Sequence, residues 1–443
     1  MLTFLGSNDR SRDPISRRGF LRVGALGLGG LTLADLLRLR AQGAAHPKAS
    51  VKSIIMVYLH GGPSHIDMYD MKPGAPAEFR GQFNPIQTNV SGFDICELMP
   101  LQARIADKMS LIRNMSFMEY IEGHNPPLLL TGYPNTLQKQ SHRPTFGSVV
   151  SKLRGGAVPA MPPYVAFDGF CDDPVRAADY LGVAHRPFVP GGEQMNSLSP
   201  VAGVTLDRMS DRRELLRSFD TLRRDIDGAH GNMEGMEAFT ARALDIVTTP
   251  KARDAFDVTK EPAMVRALYA GGTQFLQARR LVEAGVQVVT LTANAESKTW
   301  DLAGPWDHHG KIFPALRQLL PELDQRLYAL ITDLYARGLD QDVAVLVWGE
   351  MGRTPRVNAG AGRDHWNDVG FALVAGGGLK MGQVIGATTA QGDRATGRPY
   401  TPQNMLATLY HQVLGIDPVT TIPDLNGRPV YLLDDREKIP ELV

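Results

Sequence analysis

Two short segments late in the chain, Trp306-Asp307-His308-His309-Gly310 and Arg363-Asp364-His365-Trp366, concentrate the residue types that hold divalent metal ions. Carboxylate oxygen and neutral imidazole nitrogen are the donors that zinc and similar ions favour, and three of them with an open fourth position describe a catalytic site. The chain has eleven histidines, and three of them fall in these two segments. Asp307, His308, His309, Asp364 and His365 are therefore the first candidates for a hydrolytic metal centre. Either segment alone reads more readily as a surface loop or a helix cap. Each follows an expected strand, and that shared placement gives the pair its weight.

The elements that would position these residues are visible as apolar runs. Val51–Leu59 is mostly apolar and rich in β-branched residues, and it stops abruptly at His60-Gly61-Gly62-Pro63, the pattern of a buried parallel strand. Similar runs span Val286–Thr292, Val343–Trp348 and Phe371–Ala375, with helical spacing over Arg212–Ile226, Pro262–Ala284 and Phe313–Arg337. This alternation predicts an α/β fold, doubly wound, with a mainly parallel sheet covered by helices on both faces. Residues 46–443 read as one large domain, and the stretch from about 168 to 262, rich in Arg, Asp and Met, reads as a helical lobe beside it.

In such a sheet, ligands collect outside the carboxyl ends of the strands. His60 follows the first strand, Asp307 and His309 lie beyond the second, Glu350 follows Val343–Trp348, and Asp364 and His365 sit on the next loop. Arg353, on the same loop as Glu350, has the fork geometry to clamp an anionic substrate, or else pairs with Glu350 or Asp364. Blander readings suit other residues. His411 lies on a helical pattern as a packed residue, Ser64 lacks a nucleophile-elbow motif, and Gly376-Gly377-Gly378 is a tight loop without the Lys-Ser/Thr of a phosphate cradle. Trp306 and Trp366 are expected to wall the site.

The first forty-five residues read as an address. Ser16-Arg17-Arg18-Gly19-Phe20-Leu21-Arg22 precedes an uncharged Gly- and Leu-rich run from Val23 to Ala34 and then small residues at Ala41 to Ala45, which resembles a twin-arginine export signal. The run is shorter than the roughly twenty apolar residues of a membrane span. Periplasmic or secreted placement follows as an expectation, with no transmembrane span in the mature chain. Residues 1–45 carry seven of the 47 basic and three of the 47 acidic side chains, so the remainder is mildly acidic and offers no electrostatic case for nucleic acid. Cys96 and Cys171 are too few for a cysteine-zinc site and do not by themselves establish a disulfide.

The segments His60-Gly61-Gly62-Pro63-Ser64-His65-Ile66-Asp67, Trp306–Gly310, Glu350-Met351-Gly352-Arg353-Thr354-Pro355 and Gly362–Trp366, in that order, resemble the bacterial family known as domain of unknown function 1501. That family is grouped with the alkaline phosphatase and sulfatase superfamily, whose members use one or two metal ions to hydrolyse or transfer phosphate and sulfate esters. The resemblance implies a first ion on Asp307, His309 and His365, with His309 preferred over His308 because the family motif is similar to Trp-Asp-Thr-His. It implies a second ion on a rearranged set. His60 replaces the usual Asp, Glu350-Met351 replaces an Asp-His pair, and Asp67 is a further carboxylate on the first loop. Leu129-Leu130-Thr131-Gly132 resembles the end of the sulfatase nucleophile segment, and counting back puts Glu122 where Cys or Ser is usual. His124 then becomes a candidate ligand or general base, beside Glu350 and Arg353 as catalytic candidates.

The function expected from these residues is an exported, metal-dependent hydrolase of phosphate or sulfate esters. Zinc is the favoured ion, with manganese, calcium or magnesium as alternatives, and a metal-activated water takes the place of a nucleophilic side chain. The alternative is a non-catalytic binding or assembly protein that keeps the alkaline phosphatase-like fold and a metal or glycan cleft. The expected partner is an anionic ester or a glycan.

Overall fold

The computed structural model describes residues 51–117, 124, 126–134, 142–158, 160–167, 177–190, 250–293 and 306–443. The expected export segment, most of the expected 168–262 lobe including the Arg212–Ile226 pattern, Glu122 and Cys171 lie outside these residues.

Seven strands form the main sheet: β1 (Ser53–Tyr58), β2 (Met109–Met115), β3 (Tyr164–Ala166), β4 (Val288–Thr292), β5 (Val343–Trp348), β6 (Gly370–Gly376) and β7 (Gln383–Ile385). Their order across the sheet is β7-β2-β6-β5-β1-β4-β3. β1 pairs in parallel with both β4 and β5, whereas β6 runs antiparallel to β2 and β5. The sheet is therefore mainly parallel, and its α/β character is as the strand–helix alternation predicts. β1 is buried along its whole length. Its side chains alternate between two cores, Ile55 and Val57 on one face and Ile54, Met56 and Tyr58 on the other.

Each core is closed by helices. On the first face lie α2 (Thr273–Ala284) and α3 (Ile312–Ala336), the latter presenting Leu316, Leu320, Leu323, Leu327, Leu330 and Leu334 at three- and four-residue spacing. On the second lie α1 (Phe146–Arg154) and α4 (Pro402–Thr408), which starts at a Thr401/Asn404 capping box. The expected helix over Pro262–Ala284 is two helices, Ala263–Leu268 and α2, because Gly271 takes a left-handed φ of 72° between them.

Register is what builds the site. Tyr58 of β1 sits level with Thr292 of β4 and Trp348 of β5, so three loops leave the sheet at one edge. β6 arrives there by its amino end, being antiparallel, and the segment just before it, His365–Trp366, pairs with Gly352–Arg353. The later histidine thus reaches the same edge from the opposite chain direction.

Candidate metal centre

The loop after β1 turns through Gly61 (φ 111°) and Gly62 (φ 79°), a left-handed stretch that suits glycine. A Cβ on Gly61 would lie 2.5 Å from the Asp307 amide nitrogen and 2.8 Å from its Cβ, so the bare backbone is what lets Asp307 approach. A Cβ on Gly62 would overlap the Met351 side chain, which is buried beneath the loop. Trp306 is also buried, its indole N–H donating to Ala293 O at 3.0 Å and its amide to His60 O at 3.1 Å. Trp306 therefore anchors the loop from the core and does not wall an open cleft. The Trp366 indole donates to Asp393 O at 2.7 Å.

Three donor atoms meet above this platform. Asp307 Oδ1 lies 3.1 Å from His309 Nε2 and 3.3 Å from His365 Nε2, and the two imidazole nitrogens are 3.2 Å apart. A tetrahedral ion with bonds of about 2.0–2.1 Å holds its ligand atoms about 3.3 Å from one another, so the triangle has the edge length of one face of such a polyhedron. The donor set suits zinc, two imidazoles and a carboxylate. His124 Nε2 stands 3.3 Å from Asp307 Oδ2, and His124, Asp307 and His365 also form a group able to hold an ion.

Beside this lies a second group, His60, His124 and Glu350. Glu350 is fully buried, and its Oε1 accepts from Gly61 N at 3.1 Å and faces His124 Nδ1 at 2.9 Å. Its Oε2 is buried with no hydrogen-bond partner among the described residues. A buried carboxylate oxygen left bare is costly, and a cation or a donated proton would satisfy it. His60, His124, His365 and His309 line up with ring centroids 5.4, 5.0 and 4.8 Å apart. His124 is fixed by its position two residues before the helix Pro126–Thr131, whose Leu128, Leu129 and Leu130 are sunk in the second core.

Electrostatics follow from this crowding. Burial alone would raise the Asp307 carboxyl, but hydrogen bonds from His124, His365 and Arg353 hold it well below the usual carboxylate range. Hydrogen bonds to Asp307 and then Glu350 raise His124 to about 9. Burial, with Arg353 nearby, lowers His308 to about 4, which keeps that ring neutral. His308 is 2% exposed, whereas His309 Nε2 lies 3.1 Å from Asp307 Oδ1.

Three of the residues expected at the site have other surroundings. Arg353 is fully buried and donates to Gly62 O, Arg363 O, Gly61 O and Asp307 Oδ1, so it ties two loops to the Asp307 carboxylate and has no exposed surface with which to clamp a substrate. Neither Glu350 nor Asp364 is its partner in that network. Asp67 is buried with Ser64 Oγ at 2.6 Å and the Arg363 guanidinium at 2.7 and 3.2 Å, which occupies both carboxylate oxygens away from the donor triangle. Ser64 Oγ also accepts from Asp67 N at 3.4 Å and so caps a short helical turn, His65–Met68. Asp364 does not join the triangle: its Oδ1 lies 2.7 Å from His309 Nδ1, where it orients the ring so that Nε2 faces Asp307. His411 makes a helix-end hydrogen bond to Ile416 O at 2.8 Å. Cys96 is a buried free thiol pushed up to about 12 by burial, hence unreactive.

Fold and site together define an α/β protein whose strand-end loops gather carboxylates and imidazoles in an arrangement able to hold a metal ion. The chain belongs to the family described as Protein of unknown function (DUF1501), whose model matches residues 51–443. No curated protein matches it in sequence. Among solved structures it is similar to Ps i-CgsB in complex with k-i-k-neocarrahexaose, at 11% identity and a TM-score of 0.37 over 83% of this chain and 73% of that one. It is also similar to the lipoteichoic acid synthase LtaP from Listeria monocytogenes, at 10% identity and a TM-score of 0.35 over 84% and 74% of the two chains. A third is the phosphonate monoester hydrolase SpPMH from Silicibacter pomeroyi, at 12% identity and a TM-score of 0.32 over 85% and 78%. No helix of the described residues is long and apolar enough to cross a membrane.

Proposed function

We propose that this is an exported, metal-dependent hydrolase of phosphate or sulfate esters, with Asp307, His309 and His365 holding one zinc-like ion. The observation that carries the reading is the donor triangle with edges of 3.1, 3.2 and 3.3 Å. The twin-arginine pattern at Arg17-Arg18 supports export, and the motif resemblance to the alkaline phosphatase and sulfatase superfamily directs the substrate class. A bound divalent ion supplies Lewis acidity toward an ester oxygen and lowers the pKa of a nearby water. The chain's own groups do the rest. Arg353 holds Asp307 in place, Asp364 sets the His309 tautomer, and His124 stands between Asp307 and Glu350, where it can carry a proton from one side to the other. Glu350 Oε2, with His60 and His124, is the natural seat for a second ion or for a proton taken from water.

The competing reading is a non-catalytic glycan- or partner-binding cleft built round a structural ion, and the burial of Arg353 favours it by removing the expected anion clamp. One experiment separates the two. Metal content of the full chain is measured together with turnover of aryl phosphates, phosphodiesters and aryl sulfates, for wild type, Asp307→Ala and His365→Ala. Ion content and turnover lost together support the hydrolase. An ion lost from both variants with no turnover in wild type supports the binding protein, and ion content unchanged in both variants removes the metal centre itself.

A further inference from the structure

We infer that Asn358, a residue outside the donor groups, is the positioning residue that sets the metal centre's geometry, by locking the two loops that carry His309 and His365. The inference rests on the proposed ion site at Asp307, His309 and His365. Asn358 lies on the turn Val357-Asn358-Ala359-Gly360-Ala361-Gly362. Its Oδ1 accepts from Gly360 N at 3.0 Å and Gly362 N at 2.9 Å. Backbone N–H groups can only donate, so the amide orientation is forced and Nδ2 must face the other way. There it donates to His309 O at 2.9 Å and to both oxygens of Asp364, at 3.2 and 3.3 Å.

One side chain therefore grips the backbone of a donor histidine and the carboxylate that orients the same histidine's ring. The surrounding backbone shows how tightly the two loops are matched. Lys311 and Ala361 both adopt left-handed φ values, 50° and 55°, without being glycine. They face each other across hydrogen bonds from Lys311 N to Gly360 O and from Ile312 N to Ala361 O. A Cβ on Gly362 would collide with the His309 carbonyl carbon. Strained residues persist where their surroundings over-determine them. Here Asn358 is the part of that surrounding which reaches Asp364 and the His309 carbonyl together.

The chemistry demands an amide. Aspartate would keep the acceptor for Gly360 and Gly362 but set a second carboxylate oxygen against Asp364 and His309 O, where a donor is needed. Asp364 would swing away, and the His309 ring would lose its fixed tautomer.

The test uses the full chain stripped of ions. Zinc affinity is measured by chelator competition and the cobalt(II) visible spectrum is recorded, for wild type, Asn358→Asp, Asn358→Ala and His309→Ala, with ion-free melting to confirm folding. The inference expects Asn358→Asp to lose about 10- to 100-fold in zinc affinity and to shift the cobalt bands, with Asn358→Ala losing less. Wild-type affinity and an unchanged cobalt spectrum in either folded variant would overturn it. Should Asn358→Asp fail to fold, Asn358→Ala carries the same decision. If His309→Ala binds zinc as wild type does, the ion site itself fails, which is a result distinct from failure of the Asn358 role.

Discussion

His124 is the side chain through which pH would reach the proposed metal centre. Its two ring nitrogens face Asp307 and Glu350 at 3.3 and 2.9 Å, and hydrogen bonds to those carboxylates, Asp307 first, raise it to about 9. Below that pH the ion-free ring is an imidazolium, which cannot ligate, so an ion that takes His124 as a ligand must expel a proton. With one proton exchanged per ion, each pH unit changes the affinity tenfold. This proton therefore contributes a rise of about 50-fold in zinc affinity between pH 7 and pH 9, approaching about 100-fold and levelling above pH 10. The sign for the ion-free fold is opposite. A raised folded pKa gives stability that is fully present below the ring's unfolded value near 6.5 and is lost as pH rises through about 9. The assay is calorimetric titration of zinc into the stripped chain in buffers of different ionisation enthalpy, for wild type and His124→Gln. With His124 Nε2 as a further donor beside Asp307 and His365, the wild type should release about one proton more per ion than the variant at pH 7.5, the difference falling to about half a proton at pH 9 and vanishing above pH 10. Equal proton release and parallel pH slopes in the two proteins would show that His124 lies outside the ion's ligand set.

Further outcomes follow from the surrounding clamps. Arg363→Met leaves the Asp67 carboxylate buried and unpaired, so urea unfolding should show a loss of about 3–5 kcal/mol. Gly61→Ala forces a left-handed φ on alanine and drives its Cβ into Asp307, so it should cost about 2 kcal/mol or more and weaken zinc binding in the same titration. Burial raises Asp324 to about 6 against hydrogen bonds from Leu101 N and Gln102 N. Its contribution is present near pH 4 and lost as pH rises through about 6, so Asp324→Asn should flatten the melting temperature over that window.

The strand that carries the first loop was legible because β1, β4 and β5 are short, apolar and abruptly ended. β2 was not, since Ser110, Arg113 and Asn114 interrupt it; Arg113 reaches out of the strand to Tyr69 O and Asp94 O. Asp307, His309 and His365 could be named because ligand chemistry shows in residue type. The misplacement of Arg353 and Asp67 has the opposite cause. Most of their partners, Gly61, Gly62 and Asp307 for one and Arg363 for the other, are 46 to 296 residues away, and only the shared sheet edge brings them together. Asn358 carried a weak local signal, an Asn ahead of Gly-Ala-Gly that marks a turn, but nothing in the turn names His309 or Asp364 as its other partners.

The donor triangle is tested most directly by crystals of the full chain soaked in zinc, with anomalous difference maps calculated from data collected on either side of the zinc edge. The account predicts a peak bonded to Asp307, His309 and His365, with Asp364 against the far nitrogen of His309. A zinc-soaked crystal with no peak at that position, or with the zinc bound elsewhere while the three side chains remain as close as 3.1 to 3.3 Å, would contradict it.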